Sequence, residues 1–174
     1  MVDLCVLTAG RLRLRFLRRG DRIAHVIELD RDGKLIELLA SREGSPDERW
    51  PASPPVQELE LAQSPRVSPA ENRAQIAWLI GRAGASHWSA SVEAQAEGAI
   101  TFDVACRLTE EPAWLGSRYH LMGDTFGGRP AIDALDGCHQ IPSAEGSEIV
   151  IAADISQGKL PRTVRWRYRI TWSQ

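Results

Sequence analysis

Residues 163–172 read TVRWRYRITW, a run in which apolar side chains occupy every second position. The apolar members are Val164, Trp166, Tyr168, Ile170 and Trp172. In an extended strand alternate side chains lie on opposite faces, so this row faces a core while the arginines between its members face away. Burying each large apolar side chain stabilises a fold by roughly 1.5–3 kcal/mol. The run therefore predicts a central strand of a β-sheet core.

The same alternation recurs along the rest of the chain. Residues 11–18, RLRLRFLR, alternate strictly, and the Gly20-Asp21 turn after them predicts a hairpin with residues 22–29. Further strands are predicted at 34–40, 56–62, 87–94, 98–108, 117–121 and 148–155. In the most regular of these, GAITFDVACRL, the alternation places Cys106 on the core side.

Two segments are less regular. Residues 68–80 fit either a short helix or a strand in which Ile76, Trp78 and Ile80 alternate. The turn and the clear strand that follow favour the strand, with one helical turn ahead of it. Residues 130–137, PAIDALDG, have proline near their start and glycine at their end, which predicts a short helix.

Together these segments predict an all-β, mainly antiparallel fold of about nine to eleven strands, with at most one or two short helices. A two-sheet sandwich and a closed barrel both bury one face of each strand and limit exposed edges, so both alternatives stay open. A chain of 174 residues can bury one hydrophobic core, and residues 1–174 are predicted to form a single domain. Residues 41–55 are rich in proline and serine and predict a surface loop.

The cysteine content and the first residues indicate a compartment. Cys5, Cys106 and Cys138 are an odd number at wide spacings, which offers neither a disulfide framework nor a Cys-x-x-Cys pair. The opening residues lack the basic segment of a signal peptide, and no apolar stretch approaches the roughly 18–20 residues that span a bilayer. We therefore expect a cytoplasmic protein of bacterial type, without a membrane partner.

Arginine is concentrated in the first and last long strands. Their outward positions hold Arg11, Arg13, Arg15, Arg165, Arg167 and Arg169. If the two strands are neighbours in one sheet, these like charges repel, so either glutamates such as Glu28, Glu58 and Glu60 or a bound anion must lie over them. A glutamate-laced face is the simpler interpretation, and an anion-binding face is the functional one. The inward position of the aromatic side chains on both strands argues against sequence-specific nucleic-acid binding.

The histidines and cysteines give little indication of chemistry. The four histidines, His25, His87, His120 and His139, lack metal-ligand spacing, so no metal or cofactor is predicted. His25 lies on the apolar side of its strand and is expected in the core. The weak catalytic candidates are His120, Asp124, Cys138 and His139. Neighbours on an extended chain point apart, which argues against Cys138 and His139 as a nucleophile and base.

The leading hypothesis for function is a non-catalytic binding or interaction module, with an anionic ligand or protein as the candidate partner. The alternative is an enzyme whose site is built from loops around residues 120–139. A third hypothesis is a self-associating subunit that buries strand edges, or Trp50 and Trp114, between copies. No motif separates the three, because a fold class does not imply a function.

Overall fold

The computed structural model describes residues 2–62, 75–122, 128–142, 146–155 and 158–173. Within these residues the chain forms thirteen β-strands and no helix, hence none long and apolar enough to cross a bilayer. The strands are β1 (Val2–Ala9), β2 (Leu12–Arg19), β3 (Arg22–Arg31), β4 (Lys34–Ser41), β5 (Val56–Leu61), β6 (Gln75–Ala83), β7 (Ser86–Gln95), β8 (Ala99–Leu108), β9 (Gly116–Leu121), β10 (Arg129–Asp136), β11 (Cys138–Ile141), β12 (Glu148–Ala153) and β13 (Arg162–Ser173). The predicted all-β class is confirmed.

The strands form two antiparallel sheets. Sheet A has the order β1-β2-β3-β4-β9-β12-β11, and sheet B has the order β10-β13-β8-β7-β6-β5. One cluster of buried side chains drawn from both sheets lies between them. Of the two predicted alternatives, the sandwich is therefore formed and the closed barrel is not.

Alternating positions of the strands supply this core. On β13, Trp166, Tyr168 and Ile170 are 0–1% exposed, so the predicted core strand is confirmed. Cys106 is also completely buried, as the alternation of residues 98–108 predicted. Trp166 meets Trp88 of β7 edge to face, with 6.0 Å between the ring centroids. Because β13 lies between β8 and β10, its backbone is paired on both sides.

The helix predicted for residues 130–137 is wrong. These residues form β10, which pairs with β13 from Arg129 opposite Ser173 to Asp136 opposite Arg167. β10 is an edge strand of sheet B, and a proline is tolerated at the start of such a strand because its missing N–H leaves no ladder bond unmade. Together with β1 and β11, which the alternation did not reveal, β10 brings the strands to thirteen.

The strand predicted within residues 68–80 is present as β6, while the helical turn predicted ahead of it lies outside the described residues. Its more apolar side faces outward: Trp78 is 51% exposed and Ile80 52%. The core side of β6 carries Ala77 and Leu79, which are 0% and 3% exposed. The outer face of sheet B therefore presents an apolar row next to its polar side chains.

Candidate ligand-binding sites

The six outward arginines do not share one face. β2 lies in sheet A and β13 in sheet B, so the condition under which the six arginines would share a face is not met. The group Arg11, Arg13 and Arg15 therefore lies on the other side of the sandwich from the group Arg165, Arg167 and Arg169. The first and last long strands are each the second strand from one edge of a different sheet.

On sheet A one member of the arginine row, Arg15, is neutralised by acidic side chains. Arg15 forms ion pairs with Glu28 at 2.9 Å, Glu37 at 2.8 Å and Asp3 at 3.2 Å. The Arg11 Nε donates to the main-chain oxygen of Asp30 at 3.2 Å. At Arg15 this face matches the glutamate-laced interpretation, with Glu28 in the predicted role.

On sheet B two of the three arginines of β13 also have acidic partners. Arg165 forms a bidentate pair with Asp103 of β8, and Arg169 pairs with Asp133 of β10 at 3.0 Å. Arg167 lies between them, opposite Asp103 and Asp136 in the strand register. The predicted glutamates Glu58 and Glu60 lie on β5, which is separated from β13 by three strands. Arg165, Arg167 and Arg169 therefore lie on the outer face of sheet B, and this face also carries a groove.

A groove of about 500 Å³ crosses the outer face of sheet B. We call it the sheet B groove; its floor is formed by Ser89 of β7 and Ala105 of β8, two small side chains that face each other in register. Ile80 and Glu58 line one side of it. Its depth follows from the small floor residues between larger neighbours, and its volume lies within the range of about 300–1,000 Å³ typical of small-molecule sites.

A basic row closes one end of the sheet B groove. Arg82 of β6 is opposite His87 of β7, His87 is opposite Arg107 of β8, and Arg107 is opposite Thr163 of β13. Residues directly opposite in antiparallel strands are separated by roughly 4.5–5.5 Å, so these side chains can contact one ligand together. The Arg82 Nε donates to the main-chain oxygen of Gly84 at 3.1 Å. Arg107 forms no hydrogen bond or ion pair with any described residue.

Sequence reasoning missed this row because its members come from three strands. The alternation of residues 98–108 does place Arg107 on an outward position, and the same parity applies to His87. Whether Arg107 and His87 are neighbours depends on the order and register of the strands, and a local sequence pattern does not reveal either. Arg107 was thus identifiable as outward, but not as part of a site.

A second polar group lies inside the sandwich. His25 Nε2 and the Tyr119 hydroxyl are joined by a hydrogen bond of 3.0 Å, and the Tyr119 and Tyr168 hydroxyls share one of 2.7 Å. Burial lowers the pKa of His25 to about 3, and burial raises the pKa of both tyrosines. Imidazole and phenols are therefore neutral across the physiological range. His25 and Tyr168 border an interior cavity of about 30 Å³, so the predicted core position of His25 is correct.

Glu43, from the loop after β4, is the acidic member of this interior group. Its Oε1 accepts a hydrogen bond of 2.5 Å from the Ser41 hydroxyl, and its buried Oε2 has no partner among the described residues. Burial raises the pKa of Glu43 to about 7, against the opposing influence of Ser41, Arg22 and Arg19. The aperiodic loop sequence contains no signal for this placement.

The predicted catalytic candidates are not brought together. His120 and His139 lie on β9 and β11, opposite Glu148 and Ala152 of β12, so they are offset by roughly 13 Å along that strand. His139 Nδ1 lies 2.7 Å from Asp154 Oδ1, and both side chains are exposed. Asp124 lies outside the described residues.

Cys138 points away from His139, as the extended chain predicted. Its Sγ donates a hydrogen bond to the main-chain oxygen of Arg167 at 3.2 Å. Burial raises the pKa of this thiol, which reduces the thiolate fraction and its reactivity at neutral pH. In the described ranges of the chain, no group of three or more histidine, cysteine or acidic side chains could hold a metal ion.

No protein-family model matches the chain, and no curated protein or solved structure matches it either.

Proposed function

We propose that the chain is a non-catalytic binding module whose sheet B groove takes a phosphate-bearing anionic ligand. The observation that carries the proposal is the basic row at the end of the groove, in which Arg107 has no acidic partner among the described residues. An arginine fork matches phosphate oxygens bidentately, and Arg82 and His87 add N–H donors beside it. The proposed compartment is the bacterial cytoplasm, which the three free thiols support.

The rest of the outer face supports the same ligand class. Arg165 is opposite Ala105 of the groove floor, so a second guanidinium lies beside the groove. Trp78 and Ile80, on the other side, offer apolar surface to an organic part of the ligand. A ligand with phosphate at the basic row and a ring towards Trp78 would use both features. The aromatic side chains of the two arginine-rich strands face inward, but Trp78 of β6 faces outward. A base of the ligand could therefore stack on Trp78.

The proposal is tested by titration with tripolyphosphate and, separately, with a short single-stranded oligonucleotide. Tryptophan fluorescence and melting temperature are followed at low and moderate salt. We expect saturable binding that weakens as salt rises, because phosphate contacts release counterions. Tighter binding of the oligonucleotide would assign the ligand to nucleic acid or nucleotides, and tighter binding of tripolyphosphate would assign it to the phosphate chain alone.

Two arginine variants locate the site. Arg107→Ala removes a charged hydrogen-bond donor worth roughly 1.5–3 kcal/mol, so we expect binding to weaken about ten- to a hundredfold. Arg13→Ala is the matched control, because Arg13 also has no described partner but lies on sheet A; its affinity should stay at the wild-type value. Wild-type affinity in Arg107→Ala, or an equal loss in Arg13→Ala, would overturn the proposal.

A further inference from the structure

A second surface pocket lies between the loop that follows β4 and the first residues of β9. We call it the loop pocket; it has a volume of about 350 Å³. Its lining includes Arg42, Glu43, Glu48, Trp50, Trp114 and Arg118. None of these residues takes part in the sheet B groove, which is lined from β5, β6, β7, β8 and β13. The two sites therefore differ in residues and in the sheet that carries them.

Hydrogen bonds fix the loop against β9 and shape the loop pocket. The Ser53 hydroxyl accepts from the Arg118 N–H at 2.9 Å and donates to the Arg118 main-chain oxygen at 3.2 Å. The Arg42 N–H donates to that same oxygen at 2.9 Å, and the Trp114 Nε1 donates to the main-chain oxygen of Ala52 at 3.2 Å. The pocket is therefore preorganised, which lowers the entropy that a ligand loses on binding.

Two buried polar atoms of the loop pocket lack partners. The Arg118 guanidinium stacks over the Trp114 ring at 4.5 Å, and its Nε is buried without an acceptor among the described residues. Glu43 Oε2 is likewise buried, and nothing in the described structure donates to it. Buried donors and acceptors are nearly always satisfied in folded proteins. The free Arg118 donor and the free Glu43 Oε2, which donates when the carboxyl is protonated and accepts when it is ionised, therefore point to a bound molecule that can both donate and accept.

The charges of the loop pocket indicate a neutral molecule. Arg42 is paired with Glu148 of β12, so its charge is already balanced. Burial raises the pKa of Glu43 to about 7, so that carboxyl is substantially protonated at neutral pH. Arg118 and Glu48 remain, with opposite signs. Because the sum is near zero, an anion or a cation gains little from this pocket.

We propose that the loop pocket binds a single pyranose unit of a carbohydrate. A pyranose ring has an apolar C–H face, which packs on indole, and a rim of hydroxyl groups that both donate and accept. Trp50 supplies the indole, since the Arg118 guanidinium already covers the Trp114 ring, and hydroxyl groups bridge that guanidinium and Glu43 Oε2. Such a ligand satisfies both unpartnered atoms without adding charge.

The test uses the full chain and four methyl glycosides, those of glucose, galactose, mannose and N-acetylglucosamine. Saturation-transfer NMR should show saturable binding of at least one, with the strongest transfer to the ring C–H protons that face indole. Arg118→Ala and Trp50→Ala should each weaken that binding at least tenfold. Arg49→Ala is the control, because Arg49 is an exposed neighbour paired with Glu110 and lies outside the pocket lining; it should bind as the wild type does.

Saturable transfer from none of the four glycosides would overturn the proposal, as would undiminished binding in both pocket variants. Melting temperatures identify a variant that has lost its fold, and the remaining pocket variant then decides. Arg107→Ala should bind the glycoside normally, and Arg118→Ala should bind tripolyphosphate normally. Failure of the carbohydrate site is therefore distinguishable from failure of the anion site.

Discussion

Glu43 shows at the scale of one residue how burial becomes a dependence of stability on pH. Its pKa is raised by burial from a usual value of 4.5 to about 7, so the folded chain holds a proton that the unfolded chain releases between these values. Stability therefore falls as pH rises from about 4.5 to 7 and is constant above. His25 acts in the opposite sense, because burial lowers its pKa from 6.5 to about 3 and stability falls as pH drops through that window.

The Glu43→Gln substitution isolates the first of these effects. Glutamine preserves the size and the acceptor for the Ser41 hydroxyl but carries no ionisable proton, so the variant should match the wild type at pH 4.5. At pH 8 it should be more stable by roughly 2–3 kcal/mol, the free energy of keeping that carboxylate buried. Urea unfolding at pH 4.5, 6 and 8 measures the difference between the two proteins, in which the contribution of His25 cancels.

Glu48→Gln provides the control for this prediction, because Glu48 lies in the same loop and is exposed. Its stability difference from the wild type should not change with pH. A constant difference for Glu43→Gln across the three pH values would show that solvent reaches the Glu43 carboxyl and would contradict the prediction.

The positions of individual residues were predictable only where a strand repeat fixed them. His25 and Cys106 lie on the core side, as the two-residue period required. Glu43 could not be predicted, since its burial depends on how an aperiodic loop folds back over the sheet. The same applies to Trp50 and Trp114, whose surroundings are fixed by hydrogen bonds between segments far apart in sequence.

At the scale of the strand, alternation located most elements but not their neighbours. β13 is in the core as predicted, whereas its position relative to β2 could not be predicted, because register and strand order depend on contacts across the whole sandwich. β10 was mistaken for a helix, since Pro130 and Gly137 occur equally at the ends of an edge strand. The orientation of β6 could not be predicted either, because an apolar row such as Trp78 and Ile80 normally faces a core.

The pairing of β8 with β13 leads to a gain-of-function prediction. Asp103 holds the Arg165 guanidinium beside the sheet B groove and adds a negative charge to that face. Asp103→Asn should release Arg165 and remove this repulsion, so we expect tripolyphosphate affinity to rise about two- to fivefold, as for an exposed pair worth up to 1 kcal/mol. Isothermal titration calorimetry at low salt measures the change.

Asp133→Asn is the matched control. Asp133 also pairs with an arginine of β13, but Arg169 lies four residues from Arg165, roughly 13 Å along the strand. The Asp133→Asn substitution should therefore leave the tripolyphosphate affinity within error of the wild-type value. An equal gain in both variants would instead indicate a general effect of net charge, and no gain in Asp103→Asn would place the ligand away from Arg165.

At the scale of the molecule, the sandwich determines which surfaces can act together. The arginines near the two ends of the chain lie on opposite sides, so neither group can reinforce the other. The sheet B groove instead combines outward residues from the middle of the chain with the flank of β13. The sequence led to the hypothesis of an anionic ligand, but it predicted other arginines for the site; only the sheet order brings Arg82, His87 and Arg107 together.

The shared core predicts that both sheets unfold together, which tests the single-domain interpretation. Leu14 of β2 is completely buried and belongs to the cluster that also holds Trp88 and Trp166 of sheet B. Leu14→Ala leaves a cavity between the sheets and should cost roughly 2–5 kcal/mol. Most of the tryptophans lie on strands of sheet B, so their fluorescence reports on the sheet that is not mutated.

In a urea titration of Leu14→Ala, the fluorescence midpoint and the far-ultraviolet circular dichroism midpoint should therefore fall together and coincide. Coincident midpoints would mean that sheet B unfolds together with sheet A. This is expected because the same buried side chains cover the inner faces of both sheets. A fluorescence midpoint that stays at the wild-type value while circular dichroism shows an earlier transition would mean that sheet B folds by itself. The sheet B groove would then be the site of an independent unit, and its anion binding should survive the loss of sheet A.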